Sequence, residues 1–155
     1  MCVGRVLSTR YALRGAARQY TEGIELIKSW GEAGAIGGYL GLARIRRYQG
    51  DFDSAQEAIL AAEKIAIRFD AMKADDEWVA CEKASLRLAQ GDIDAANHWT
   101  EDLGLNRDVS LYVSDQDGSH PIPFTRLIGY LLAARVDIAR NRPEDALQLL
   151  RPLRK

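Results

Sequence analysis

The sequence predicts an all-α protein, a superhelical array of about four antiparallel helical hairpins, and three observations carry that prediction. The heptapeptide Q-G-D-F-D-S-A at residues 49–55 recurs as Q-G-D-I-D-A-A at residues 90–96. Apolar residues fall at steps of three and four on both sides of each copy, which is the period of an amphipathic helix. A third, diverged copy, R-N-R-P-E-D-A, lies at residues 140–146. Repetition of a helix–turn–helix phrase predicts stacked hairpins, because one hairpin alone cannot cover its apolar face.

Each copy supplies the residues that a tight turn between two helices requires. Gly50 and Gly91 stand where a helix ends and where the backbone often needs a positive φ. Asn141, which tolerates that conformation next best, replaces them in the third copy. Asp51 and Asp92 follow, where a carboxylate accepts free N–H groups of the next helix. We therefore interpret each copy of the heptapeptide as a hinge, that is, a tight turn between two antiparallel helices.

A small residue follows each hinge at a fixed distance. Ala55, Ala96 and Ala146 all fall in the first turns of the second helix of a pair. Their small side chains allow the two helix backbones to approach closely, so we expect all three to be buried.

A weaker unit near residues 18–23 places Tyr20 and Gly23 at the positions that Phe52 and Ala55 hold in the first full copy. We therefore expect one helical-repeat domain over residues 1–155, with hinges at four places: near 18–23, 49–55, 90–96 and 140–146.

Composition excludes several classes of protein. The chain is 47% hydrophobic and 28% charged with a formal charge of −1, which is typical of a folded domain and gives no general attraction to nucleic acid or to an anionic membrane. No apolar run has the length of a membrane span. Cys2 and Cys81 lack metal-binding spacing, so we expect reduced thiols in a cytoplasmic protein. The arginines of residues 1–21 superficially resemble an organellar presequence, but their helical spacing favours an amphipathic helix.

The sequence offers no set of catalytic or metal-binding residues. His98 and His120 lie on different elements, and neither has a paired nucleophile. The stretch S-D-Q-D-G-S at 114–119 partly matches a calcium loop, but Val113 and Phe124 would fill its first and last ligand positions. We therefore expect no enzyme activity, no metal and no cofactor.

Two features suggest binding. The first helix of each hairpin lines the concave groove of a superhelical array, which would turn six side chains inward: Arg44, Arg47, Tyr48, Trp78, Ser85 and Arg135. Arginine and tryptophan there could hold a carboxylate, a phosphate or a sugar ring. The alternative is that these residues keep the groove soluble and pack between repeats. The second feature is an inserted loop, residues 104–122, whose apolar patch Val109–Val113 either pins it to the helices or contacts a partner.

The pattern of residue types around the hinges resembles that of a tetratricopeptide-type array, although spacings of 41 and 50 residues exceed that family's usual period of about 34. A closer resemblance covers almost the whole chain. The order of G-Y-L-G-L-A-R-I (38–45), L-A-Q-G-D-I-D-A-A-N-H-W (88–99) and R-P-E-D-A-L-Q-L-L (142–150) is similar to the sensor region of large bacterial transcription activators of the MalT type.

That resemblance implies a module that receives a small-molecule inducer or a regulatory protein. In such proteins it lies between a signal-transducing ATPase and a LuxR-type DNA-binding domain. This chain has no G-x-x-x-x-G-K-[ST] phosphate loop and no basic recognition helix after residue 105. We therefore expect a fragment of a longer regulator, or a very short relative, that does not bind nucleic acid directly and whose end faces permit self-association. The alternative is a free-standing tetratricopeptide adaptor for a peptide or protein partner.

Overall fold

The computed structural model describes residues 2–29, 31–69, 73–102 and 124–151. Within those ranges the regular structure is entirely helical, which confirms the predicted all-α fold. The α-helices are α1 (Cys2–Lys28), α2 (Ile36–Gln49), α3 (Phe52–Arg68), α4 (Lys73–Ala89), α5 (Ile93–Asp102), α6 (Phe124–Ala139) and α7 (Pro143–Leu150), and a short 3-10 helix (Glu32–Ala35) precedes α2. The predicted loop at 104–122 lies outside the described residues.

The backbone divides into two compact units, residues 1–86 and residues 87–155. In the first, α2 packs against α1 and α3, and the core combines α2 and α3 with Val79 and Leu86 of α4. In the second, α6 packs against α5 and α7 around the fully buried Tyr130. The single domain over residues 1–155 stays a prediction.

The three full hinges have the left-handed residue that the sequence predicts. The φ angles are 78° at Gly50, 86° at Gly91 and 59° at Asn141. Asn141 is the one described non-glycine residue with a positive φ. Because L-residues other than Asn and Asp rarely adopt this conformation, the identity of these three positions follows from the turn itself.

The same two backbone hydrogen bonds close every hinge. In the first, the Gly50 N–H donates to the carbonyl of Arg47 at 3.1 Å and the Asp51 N–H donates to that of Arg46 at 3.0 Å. The corresponding bonds measure 3.2 and 3.0 Å in the second hinge and 3.0 and 2.8 Å in the third. This pair of bonds is the Schellman motif, which satisfies carbonyl groups at a helix end.

Two of the hinges also cap the helix that follows. The Asp51 carboxylate accepts a hydrogen bond from the Ser54 N–H at 3.2 Å, and the Asp92 carboxylate accepts one from the Ala95 N–H at 3.1 Å. Both predicted caps are therefore present. The third hinge has Arg142 in this place and no side-chain cap.

The alanine after each hinge is buried, as predicted. Ala55 and Ala96 are fully buried and Ala146 nearly so. One helix earlier in each pair, another set of small residues is buried as well: Ala43, Ala84 and Ala134. Buried small residues at these positions are thus a feature common to the repeats.

The predicted hinge near residues 18–23 is wrong, because α1 runs without a break through Tyr20 and Gly23. No Asp or Asn follows Gly23 to cap a new helix, and Thr21 donates a hydrogen bond to the carbonyl of Ala17 within α1. The chain instead turns between α1 and the short 3-10 helix.

Glycines on α2 explain how α1 packs there. An added Cβ at Gly38 would lie 2.8 Å from the Ile24 side chain, and one at Gly41 would collide with the Tyr20 ring. Residues of α1 therefore fill the space that these missing side chains leave. The contacts run in opposite order along the two helices, so α1 and α2 are antiparallel.

Candidate functional site

One face of α4 carries Trp78, Glu82 and Ser85, which are spaced at four and three residues and so lie above one another on the helix. Glu82 is only 2% exposed and Ser85 is also buried. The half-buried Trp78 packs against the core of the first unit, and its ring lies 3.5 Å from the position of an added Cβ at Gly37 of α2. This face of α4 is thus directed at α2.

Two arginines of α2 neutralise the buried Glu82 carboxylate. Arg44 Nε donates to Glu82 Oε1 at 2.9 Å, its Nη2 pairs with the same oxygen, and Arg47 Nη2 lies 3.6 Å from Oε2. Arg47 is itself only 8% exposed. A buried carboxylate is stable only with such partners, because removal from water strongly disfavours an unpaired charge. We call Arg44, Arg47 and Glu82 the α2–α4 charge cluster.

The cluster's charges leave a positive excess, since two guanidinium groups face one carboxylate. The half-exposed Arg44 carries part of that charge to the surface.

Cys81 lies next to the cluster in the sequence. Its burial, and then the charge of Glu82, raise the pKa of Cys81 to about 12. Its thiol therefore stays protonated at neutral pH and is not a nucleophile.

The other predicted site residues lie elsewhere. Tyr48, at the end of α2, is 61% exposed, and the Arg47 guanidinium lies 4.9 Å from the centroid of its ring. Arg135 is exposed on α6 in the second unit. Of the predicted site residues, Arg44 and Arg47 of α2 thus lie against the face of α4 that carries Ser85. Binding by these residues stays a prediction.

Sequence reasoning missed Glu82. The available signal was the spacing of Arg44 and Arg47, which puts two cations on one face of α2 and requires an anion if that face is covered. The third arginine, Arg46, turns away from them to Gln49 at 3.4 Å and Asp51 at 3.7 Å. Arg46 therefore lies outside the α2–α4 charge cluster.

The described parts of the chain contain neither a group of metal ligands nor a membrane-spanning helix. There, no group of three or more His, Cys, Asp or Glu residues could hold a metal ion. His98 is exposed on α5, and His120 lies outside the described ranges. None of the helices that the structure describes is both long and apolar enough to cross a bilayer.

The fold and the repeated hinge define an all-α helical-repeat protein of the tetratricopeptide type, a class whose members generally mediate protein interactions. Comparison with known families gives a narrower assignment. The sequence profile described as the MalT-like TPR region matches residues 1–155, and the chain belongs to that family. A search of curated proteins and a search of solved structures each returned no match. The repeat fold indicates a non-catalytic module.

Proposed function

We propose that the chain is the sensor and protein-interaction module of a MalT-like, LuxR-family transcription regulator. It would bind an inducer or a regulatory protein and relay that event to ATPase and DNA-binding domains. The observation that carries the proposal is the family match over the full length of the chain. A bacterial, cytoplasmic setting belongs to the same proposal.

The α2–α4 charge cluster supports the relay part of this proposal. It ties the first helix of one hinge pair to the first helix of the next, between residues 38 positions apart in sequence. In repeat proteins each repeat contacts only its neighbours, so a change in one such contact alters the stacking of two successive helix pairs. An anionic ligand or side chain that engages Arg44 competes with Glu82 for it, and the competition would favour a different α2–α4 packing.

A thermal-shift screen tests the sensor function. The panel contains neutral sugars, sugar phosphates and small carboxylates, and an inducer should raise the melting temperature as its concentration increases, because it binds only the folded protein. A flat response across the panel contradicts a small-molecule inducer of these classes and favours the adaptor, which recognises a peptide or protein.

The relay is tested with Arg44→Gln, which leaves Arg47 to pair with Glu82. Hydrogen exchange of the α4 amides, measured with and without the stabilising compound, should respond less in this variant than in the wild type. Arg68→Gln is the matched control, because Arg68 pairs with Glu32 at 2.7 Å on the exposed surface of the same unit. An equal α4 response in wild type and Arg44→Gln contradicts the relay.

A further inference from the structure

A cavity of about 440 Å³ lies on the first unit, between α1 and the first hinge. Its described lining comes from one turn of α1 and from the end of α2 with the hinge: Leu13, Arg14, Arg46, Tyr48, Gln49 and Asp51. Both elements that form it are fixed by contacts described above, since α1 packs on the glycines of α2 and the hinge is closed by the Schellman bonds.

The two arginines of this cavity have hydrogen-bonding capacity to spare. Arg14 is exposed and makes no ion pair with any residue that the structure describes. Among the described residues, the Arg46 side chain makes only two long contacts, to Gln49 at 3.4 Å and to Asp51 at 3.7 Å. A guanidinium group carries five N–H donors in a fork that matches carboxylate and phosphate oxygens, so most donors here remain available to a ligand.

The carboxylate in the cavity is already engaged. Asp51 caps α3, and its hydrogen bond from Ser54, with the charge of Arg46 adding to it, holds the pKa of Asp51 below its ordinary value. It is therefore ionised at neutral pH and offsets one of the two guanidinium charges. The described lining of the cavity thus keeps one positive charge in excess, which favours an anion.

Tyr48 adds a flat surface at the edge of the cavity. Its ring is mostly exposed, while the guanidinium of Arg47 lies 4.9 Å from the ring centroid. Because the buried Arg47 is held by Glu82, the ring has a fixed support. A sugar or aromatic ring could stack on such a surface.

We propose that this cavity binds a small organic anion that carries a ring. Arg14 and Arg46 hold the phosphate or carboxylate group, Gln49 donates a hydrogen bond to it, and Tyr48 stacks against the ring. The inference names a ligand class for the sensor function proposed above and in that respect rests on it. Arg47 contacts Tyr48 and pairs with Glu82, so it connects the cavity to the α2–α4 charge cluster.

Isothermal titration of the 155-residue chain tests the ligand class. Glucose 6-phosphate and phenyl phosphate each combine a ring with an anion, whereas glucose, phenol and inorganic phosphate each offer one half. We expect at least one of the combined probes to bind about tenfold or more tighter than either of its halves, in line with the worth of charge-assisted hydrogen bonds plus stacking. The affinity should fall as salt is added. Failure of both combined probes to bind at millimolar concentration overturns the proposal.

Variants test the location. Arg14→Gln and Tyr48→Ala should each lower the affinity for the probe that binds by about tenfold. Circular dichroism should show unchanged helix content, because both side chains are exposed. Arg18→Gln is the matched control, since Arg18 lies one turn further along α1, pairs with Glu22 and does not line this cavity. Undiminished binding in both Arg14→Gln and Tyr48→Ala overturns the site. Failure of both combined probes, together with a neutral sugar that stabilises wild type and Arg14→Gln equally, would retain the sensor function and overturn this inference alone.

Discussion

The first hinge, Gly50–Asp51, and the third, Asn141–Arg142, carry different side chains at both positions. Their backbones nevertheless make the same pair of hydrogen bonds and the same left-handed turn. The comparison separates what the joint between two helices requires from what it tolerates: a residue that accepts a positive φ is required, whereas the residue after it can be an acid or a base.

The charges across these two hinges are reversed at the same spacing of five residues. In the first, Arg46 precedes the hinge and lies 3.7 Å from Asp51. In the third, Asp137 precedes it and accepts a hydrogen bond from Arg142 at 2.8 Å. Asp137 is only 1% exposed, so Arg142 serves a buried charge, while Asp51 serves the N-terminus of α3. Arg142 cannot cap α7, and Pro143 with the acids Glu144 and Asp145 supports that helix start instead.

The largest expected effect concerns the feature that both hinges share. Ala55→Leu and Ala146→Leu should each lower the free energy of unfolding by about 1–3 kcal/mol, because the larger side chain overpacks a closed helix contact. Urea denaturation measures it. Ala95→Leu is the control, since Ala95 is exposed next to the buried Ala96. Unchanged stability in Ala146→Leu would mean that the third hinge lacks the close helix contact of the first.

The second prediction addresses the reversed charges. Arg142→Ser should destabilise by about 1–2 kcal/mol, because the buried Asp137 loses a charged hydrogen-bond partner whose own side chain is partly exposed to water. Asp92→Ser should change stability by less than about 0.5 kcal/mol, since serine caps a helix about as well as aspartate. Urea denaturation of the two variants side by side distinguishes them. Equal losses would contradict the different roles assigned to these positions.

The third prediction addresses the left-handed residue. Gly91→Val should cost about 1 kcal/mol or more, because a β-branched side chain suits a φ of 86° badly. Asn141→Gly should cost nothing, because glycine adopts that conformation without strain. Thermal denaturation checks both, and a neutral Gly91→Val would mean that the backbone there is not left-handed in solution.

The smallest expected effect is a pH dependence confined to a capped hinge. The folded-state pKa of Asp51 lies below its ordinary value of 3.8 because of Ser54 and Arg46. The cap therefore stabilises the fold above about pH 3.8 and its contribution disappears as the pH falls through the lower, folded-state pKa. The melting temperature of wild type relative to Asp51→Ser should thus decrease between pH 5 and pH 2, values chosen to bracket that range. A constant difference would contradict an ionised cap.

The hinges could be predicted because their determinants are local. The glycine or asparagine, the capping acid and the small alanine all lie within seven consecutive residues, and each acts on the backbone beside it. The failed hinge near residues 18–23 shows the limit of this reasoning. Gly23 has no capping acid after it, and contacts of α1 with the distant Gly38 and Gly41 favour a continuous helix.

The candidate sites could be predicted only in part, for a related reason. Arg44 and Arg47 were identified from their place on a first helix, but their partner Glu82 lies on another hairpin, and no local pattern links the two. Arg14 came into the cavity only because α1 packs back along α2. Sites of this kind depend on tertiary contacts that a pattern of neighbours does not contain.

The most direct test of the shared joint is the backbone conformation of Asn141 in solution. Nuclear magnetic resonance measures φ there through the amide-to-α-proton coupling and the intraresidue distance between the same two protons. We expect a positive φ at Asn141, together with positive values at Gly50 and Gly91. A helical, negative φ at Asn141 would mean that α6 and α7 are joined differently, and it would contradict the claim that one hinge builds all three pairs.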